Sequence, residues 1–226
     1  MEFNHILTSI VGAHHNNQDA FKYFEDDNRI IAVVADGLGS KLKSAIGVRL
    51  ICRLIVDELK LINLPLEPDK LKSPTNWYDL LSQKNANHED YCTTCSFAVI
   101  DKNTKQISLG QIGDSPLFVS IDNNPVIALR QEKDFSNITK CLGEETIQYF
   151  KIDNFSYLSS VRVMVTSDGI GDELCDSSLD ALFFYLSDTY GKFTSKSRSR
   201  KFTKEIKATI GTINNDDKSA IYIWSL

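Results

Sequence analysis

The sequence contains no run approaching the about 20 apolar residues that a membrane-spanning helix needs, so a helical membrane span is excluded. Near its beginning no basic segment precedes a long apolar stretch, and the longest apolar run there is Ile30 to Ala35. No signal peptide is visible, and a soluble cytoplasmic protein is expected. Histidines and cysteines are few, four and five, and none cluster at zinc-ligand spacing. The cysteines (Cys52, Cys92, Cys95, Cys141 and Cys175) are odd in number, in a chain long enough to need no disulfide staples, so reduced thiols are expected. Cys92 and Cys95 form a Cys-x-x-Cys pair, but no second pair follows and core packing is expected of them. Positive charge is also short: 25 Lys and Arg against 30 Asp and Glu leave a formal net charge of −5, which argues against non-specific nucleic-acid binding.

What is present suffices for a core. With 226 residues, 42% of them hydrophobic, a single domain over residues 1–226 is the simplest organisation. Ile30 to Ala35, Ser96 to Ile100 and Val161 to Thr166 are apolar, β-branched runs with an Asp close behind, and they read as buried strands. Ile107 to Ile112, Leu117 to Ile121, Val126 to Leu129 and Thr146 to Ile152 follow one another, the early ones across Gly-Asp-Ser and Asp-Asn-Asn-Pro links that predict antiparallel hairpins. Ala220 to Trp224 reads as a last strand. Apolar residues recur at helical intervals from Lys41 to Leu59, with weaker helical signals at Trp77 to Ser82, Leu179 to Ser187 and Lys201 to Ile210. Pro65, Pro68 and Pro74 make Leu64 to Thr75 a connector. This mixture predicts an α+β architecture of two packed sheets covered by helices.

Asp36, Asp114, Asp168 and Asp216 each stand at the end or start of a predicted strand, three of them beside a glycine, and Asp19 makes a fifth site. Taken singly, Asp-Gly and Gly-Asp-Ser are ordinary turn sequences. Taken together, carboxylates at several strand tips point to a hard divalent cation, which takes oxygen ligands and retains water.

In order along the chain, Asn17-Gln18-Asp19-Ala20, Asp36-Gly37-Leu38-Gly39-Ser40, Thr93-Thr94, Gly113-Asp114-Ser115, Ser167-Asp168-Gly169-Ile170-Gly171-Asp172 and Asp216-Asp217-Lys218-Ser219 resemble the type 2C metal-dependent protein serine/threonine phosphatases, in the compact form found in bacteria. The resemblance covers nearly the whole chain. It implies a β-sandwich of two mainly antiparallel sheets flanked by helices (four layers, α-β-β-α), with a two-metal centre at one end. It further implies two Mn²⁺ or Mg²⁺ ions and a weaker third. Asp36 would bridge the pair, the Gly37 carbonyl and water completing one ion, Asp168 and Asp216 binding the other, and Asp19 orienting coordinated water. Asp114, Asp168 and Asp172 resemble the third site. The implied reaction is hydrolysis of phosphoserine and phosphothreonine by direct attack of a metal-bridging water, with a phosphoprotein substrate, a kinase as counterpart, and a monomeric chain.

Departures from the pattern bear on phosphate capture. Many relatives carry an arginine shortly before the Asn-Gln-Asp segment, where this chain has His14 and His15. A histidine there can donate to phosphate or protonate the leaving alkoxide, or it can be a loop residue satisfied by backbone groups. Leu38 stands where some relatives place a histidine as general acid, Ser40 replaces a common glycine, and Tyr91-Cys92 precedes Thr93-Thr94 where glycine is usual. The competing class is a catalytically silent phosphoprotein-binding or regulatory module on the same scaffold; a hydrolase for small phosphoesters is a third. Residues 131–144 fall where relatives carry a flap, here short. Lys192, Lys196, Arg198, Arg200, Lys201, Lys204 and Lys207 form a basic concentration, read as a solvated helix face or as a docking patch for an acidic partner.

Overall fold

Side chains alternate across a strand, so a strand that is apolar at every position must be covered on both faces. The run Ile30 to Ala35 within the strand Arg29–Asp36 meets that condition. Ile31, Val33 and Ala35 enter one buried cluster with Val48, Ile51, Ile55 and Trp77, while Ile30, Ala32 and Val34 enter a second with Leu109, Val163 and Ile221. A third cluster joins Met164, Tyr222 and Trp224 to Phe183, Leu186 and Phe202. Three apolar layers require four layers of structure.

The computed structural model describes residues 1–13, 16–131, 140–144 and 149–225. Its strands are β1 (Phe3–Ile10), β2 (Asp19–Glu25), β3 (Arg29–Asp36), β4 (Cys95–Asp101), β5 (Gln106–Ile112), β6 (Leu117–Ile121), β7 (Ile127–Leu129), β8 (Lys151–Ser156), β9 (Val161–Thr166) and β10 (Lys218–Ser225). Its helices are α1 (Ser44–Leu59), α2 (Ser73–Ser82), α3 (Asp168–Gly171), α4 (Leu179–Gly191) and α5 (Ser195–Ala208). One sheet runs β1-β10-β9-β6-β7 and the other β2-β3-β4-β5-β8, with every pairing antiparallel. Helices α1 and α2 cover the second sheet, α4 and α5 the first, completing the α-β-β-α sandwich. No helix among the described residues is long and apolar enough to cross a membrane.

Several sequence expectations shift. Strands β1 and β2 were not foreseen, because they lie at sheet edges and carry Asn4, His5, Thr8 and Lys22 among their apolar residues. Helix α2 starts at Ser73, with Pro74 in its first turn, where a missing N–H costs nothing. The strand expected at Thr146 to Ile152 is displaced: pairing with β5 covers Lys151 to Ser156, and residues 145–148 lie outside the described residues. Gly113-Asp114-Ser115 is no hairpin but a crossing between sheets. Gly113 has φ +89°, and a Cβ there would meet the Thr94 Cγ2 at 2.5 Å, so only glycine makes this exit. Arg198 is not on a solvated face: it is buried, donates from Nε and Nη2 to the Phe193 carbonyl at 3.0 and 2.6 Å, and lies over the Trp224 ring. Lys192 pairs with Asp188, and Lys201 sits over Phe193.

Between β6 and β7, Asp122 and Asn123 both take positive φ, and the Asp122 Oδ1 accepts from the N–H groups of Ser159 (2.7 Å) and Ser160 (3.0 Å). These donors, with the Leu158 N–H, hold its carboxyl down at about 2. A depressed carboxyl stabilises fully above its unfolded value of about 3.9 and loses that contribution as pH falls towards 2. Asp122→Asn keeps a residue that tolerates this backbone, so its melting temperature should lie below wild type at pH 6 and converge with it near pH 2. Parallel melting curves across that range would assign the stabilisation to something other than charge.

Candidate active site

Antiparallel register sets the first carboxylates face to face, Asp19 opening β2 opposite Asp36 at the end of β3. In the other sheet β9 ends where β10 begins, and the Ser167 N–H donates to the Ser219 carbonyl at 2.9 Å. Asp168, first residue of α3, and Asp216, just before β10, therefore come to the same end of the sandwich. Asp114 arrives there on the crossing from β5 to β6. Asp36, Gly37, Asp114, Asp168 and Asp216 line one cleft of about 210 Å³, with Gln18, Leu38, Gly39, Thr94 and Asp217. Asp19 is buried beside Asp36 and does not line the cleft. Asp172 stands at the flank, its Oδ1 3.9 Å from Arg130 Nη1. His14 lies outside the described residues.

Hydrogen bonds hold these groups in place. The Asp36 carbonyl accepts from the Thr93 hydroxyl and the Thr94 N–H, both at 2.8 Å, and the Gly37 N–H donates to the Gln18 carbonyl at 3.0 Å. Asp19 Oδ2 accepts from Ser167 Oγ at 2.8 Å, while its buried Oδ1 has no partner among the described residues. Asp217 accepts the Gly12 N–H on Oδ1 (2.7 Å) and the Gln18 N–H on Oδ2 (2.6 Å), pinning both ends of the segment that carries His14. Buried Lys218 donates to the Asn214 side chain at 2.7 Å and to the Asp216 carbonyl at 2.7 Å. Arg130 donates to the carbonyls of Gly171 (2.9 Å) and Leu174 (2.7 Å), anchoring the segment between Asp168 and Asp176. The parts played by Asp217 and Arg130 escaped the sequence, because their partners lie up to 205 and 46 residues away. The doubled Asp216-Asp217 was the only local signal.

Electrostatics and donor chemistry fit a hard cation. Burial, reinforced by the charges of Asp19 and Asp168, pushes the Asp36 carboxyl well above the ordinary range. Burial pushes Asp19 up to about 7. Asp168 is raised by burial, with the charges of Asp114, Asp216 and Asp172 adding to it. Crowded carboxylates and an orphaned buried oxygen make an all-oxygen donor set that a divalent cation would relieve. Among the described residues no three Asp, Glu, His or Cys side chains converge tightly enough to enclose an ion alone. Ions here would retain water ligands, as Mg²⁺ does elsewhere.

A two-sheet sandwich between helices thus carries an acidic cleft at one end. A family model described as Protein phosphatase 2C matches residues 8–208. The chain belongs to the protein phosphatase 2C family, enzymes of the serine/threonine phosphatase class. Solved structures sharing the fold include the serine/threonine phosphatase Stp1 from Staphylococcus aureus, at 15% identity over 100% of this chain and 96% of that one, TM-score 0.71. RsbX in complex with magnesium is similar at 16% identity over 98% and 94%, TM-score 0.66. The catalytic domain of the phosphatase PstP with two manganese ions is similar at 13% identity over 98% and 97%, TM-score 0.64. No curated protein matches the sequence.

Proposed function

We propose that the chain hydrolyses phosphoserine and phosphothreonine in protein substrates, using two Mg²⁺ or Mn²⁺ ions with a weaker third. The observation that carries this reading is the convergence of Asp36, Asp114, Asp168 and Asp216 on one cleft, with buried Asp19 paired opposite Asp36 and its Oδ1 without a partner among the described residues. The ions found with RsbX and PstP agree with it. Asp36, the Gly37 carbonyl, Asp168 and Asp216 would hold the pair, and Asp114, Asp168 and Asp172 the third. Bound there, the ions would supply water acidic enough to attack at neutral pH and would neutralise charge on the phosphoryl oxygens. Asp19, buried beside Asp36, would orient the attacking water. The water oxygen bonds to phosphorus as the bond to the serine or threonine oxygen breaks, and that oxygen takes up a proton. His14 is the candidate donor to phosphate or leaving group, and Asp217 places the segment bearing it. The chain acts as one phosphatase domain with a short flap at residues 131–144, of which 132–139 lie outside the described residues, on cytoplasmic phosphoproteins set by a counterpart kinase.

One observation favours a second reading, a catalytically silent phosphoprotein-binding module. Among the described residues, no Lys or Arg lines the cleft to receive phosphate. A phosphothreonine peptide incubated with Mn²⁺ decides between the two. Turnover that falls to background when a chelator is added is expected, and peptide bound without phosphate release would select the silent module. Turnover indifferent to chelator would remove the metal from the mechanism.

A further inference from the structure

The outer face of α1 presents Ile46, Arg49, Leu50 and Arg53 at helical spacing, while Val48, Ile51, Cys52 and Ile55 point into the core. Leu80 on α2 and Lys84 just beyond it face this strip. Between the two helices lies a groove of about 550 Å³, lined by apolar Ile46, Leu50 and Leu80 and by the cations Arg49, Arg53 and Lys84. Ile46 is 51% exposed, and the charged ends of the three cationic side chains make no ion pair or hydrogen bond with a described residue. Uncompensated positive charge is notable in a chain of net charge −5. Exposed apolar surface between unpaired cations complements a segment in which carboxylates flank an apolar side chain. Arg49 and Arg53 stand one turn apart, about 6 Å along the helix, so neighbouring carboxylates can each take a guanidinium.

The groove also lies beside the catalytic cleft. Tyr91 lines its end, and the next residue, Cys92, accepts the Leu38 N–H on its carbonyl at 3.1 Å. Leu38 is a wall of the cleft. A segment seated between α1 and α2 is thus a short reach from the phosphate site.

We propose that this groove docks an acidic segment of the phosphoprotein substrate, its apolar side chain between the helices and its carboxylates on Arg49, Arg53 and Lys84. That the partner is a substrate rests on the phosphatase reading; the docking itself needs no turnover. The test uses the full chain and a fluorescein-labelled, unphosphorylated peptide with leucine flanked by glutamates and aspartates, titrated by fluorescence anisotropy. Arg49→Glu/Arg53→Glu is expected to weaken binding about tenfold or more, with Lys84→Glu on the other helix acting in the same direction. Lys196→Glu/Lys204→Glu on exposed α5 serves as the control and leaves binding unchanged. Joining the same acidic segment to a phosphothreonine peptide should lower KM without changing kcat, and the groove variants should lose that advantage while hydrolysing an aryl phosphate normally. Absence of binding, or an equal loss in the α5 control, overturns the proposal. Groove-dependent binding with no turnover of either phosphopeptide keeps the docking site and overturns the phosphatase reading instead.

Discussion

Asp36→Asn should reduce phosphopeptide hydrolysis by about 10³-fold while raising the melting temperature measured in chelator. The two effects share one cause. Asp36 is half-buried beside Asp19 and Asp168, whose charges both raise its carboxyl, and without a cation the three carboxyls crowd one another. Asparagine removes one charge and supplies an amide that can donate to its neighbours, replacing repulsion with hydrogen bonds worth about 1–3 kcal/mol. In a chain of this size each kcal/mol moves the midpoint by about 2–4 °C. The same change removes the carboxylate that would bridge the ions, so added Mn²⁺ should stabilise wild type and leave the variant almost unmoved. Melts and initial rates on the same samples check both halves. An active Asp36→Asn enzyme would end the metal reading, and a variant less stable in chelator would show that the crowded carboxyls are no burden to the fold.

Gly169→Ala is expected to have the second largest effect, through position rather than charge. A Cβ on Gly169 would lie 2.1 Å from the Asp217 carbonyl oxygen and 3.2 Å from the Asp216 Cβ. Neither is the free end of a flexible side chain, so the first turn of α3 or the backbone leading into β10 must move. Asp168 sits on one side of this contact and Asp216 on the other. A displacement of about 1 Å in such a site costs about 10²-fold in rate, and overpacking of this kind destabilises by about 1–3 kcal/mol. Weaker Mn²⁺ binding by calorimetry should accompany the loss of activity. Gly191→Ala, where nothing lies within 4 Å of the new Cβ, should change neither. Wild-type rate and metal affinity in Gly169→Ala would show that the two carboxylates need not be held this closely.

How much of this was legible in the sequence follows from burial. Strands β3, β4 and β9 were plain because each is covered on both faces or nearly so, which leaves an unbroken apolar run. Strands β1 and β2 were hidden because edge positions tolerate polar residues, and the alternation that remained was too broken to read. Four strand-end aspartates, Asp36, Asp114, Asp168 and Asp216, stood out in the sequence because a carboxylate at a turn is visible in local spacing, and all four line one cleft. The crossing at Gly113 was mistaken for a hairpin because a four-residue link looks the same whether it returns to its own sheet or leaves for the other.

By itself the sequence determined the inventory: which strands must be buried, which carboxylates stand at their ends, and which family the ordered motifs belong to. Only the tertiary structure decided how that inventory is joined. Ser167 reaches Asp19 across 148 residues and leaves one of its oxygens without a partner among the described residues, and Asp217 ties Gly12 and Gln18 from the far end of the chain. Local spacing can place a donor and an acceptor on the chain, but hydrogen bonds are allotted by proximity in space. That proximity exists only once the two sheets have packed and brought their strand ends together.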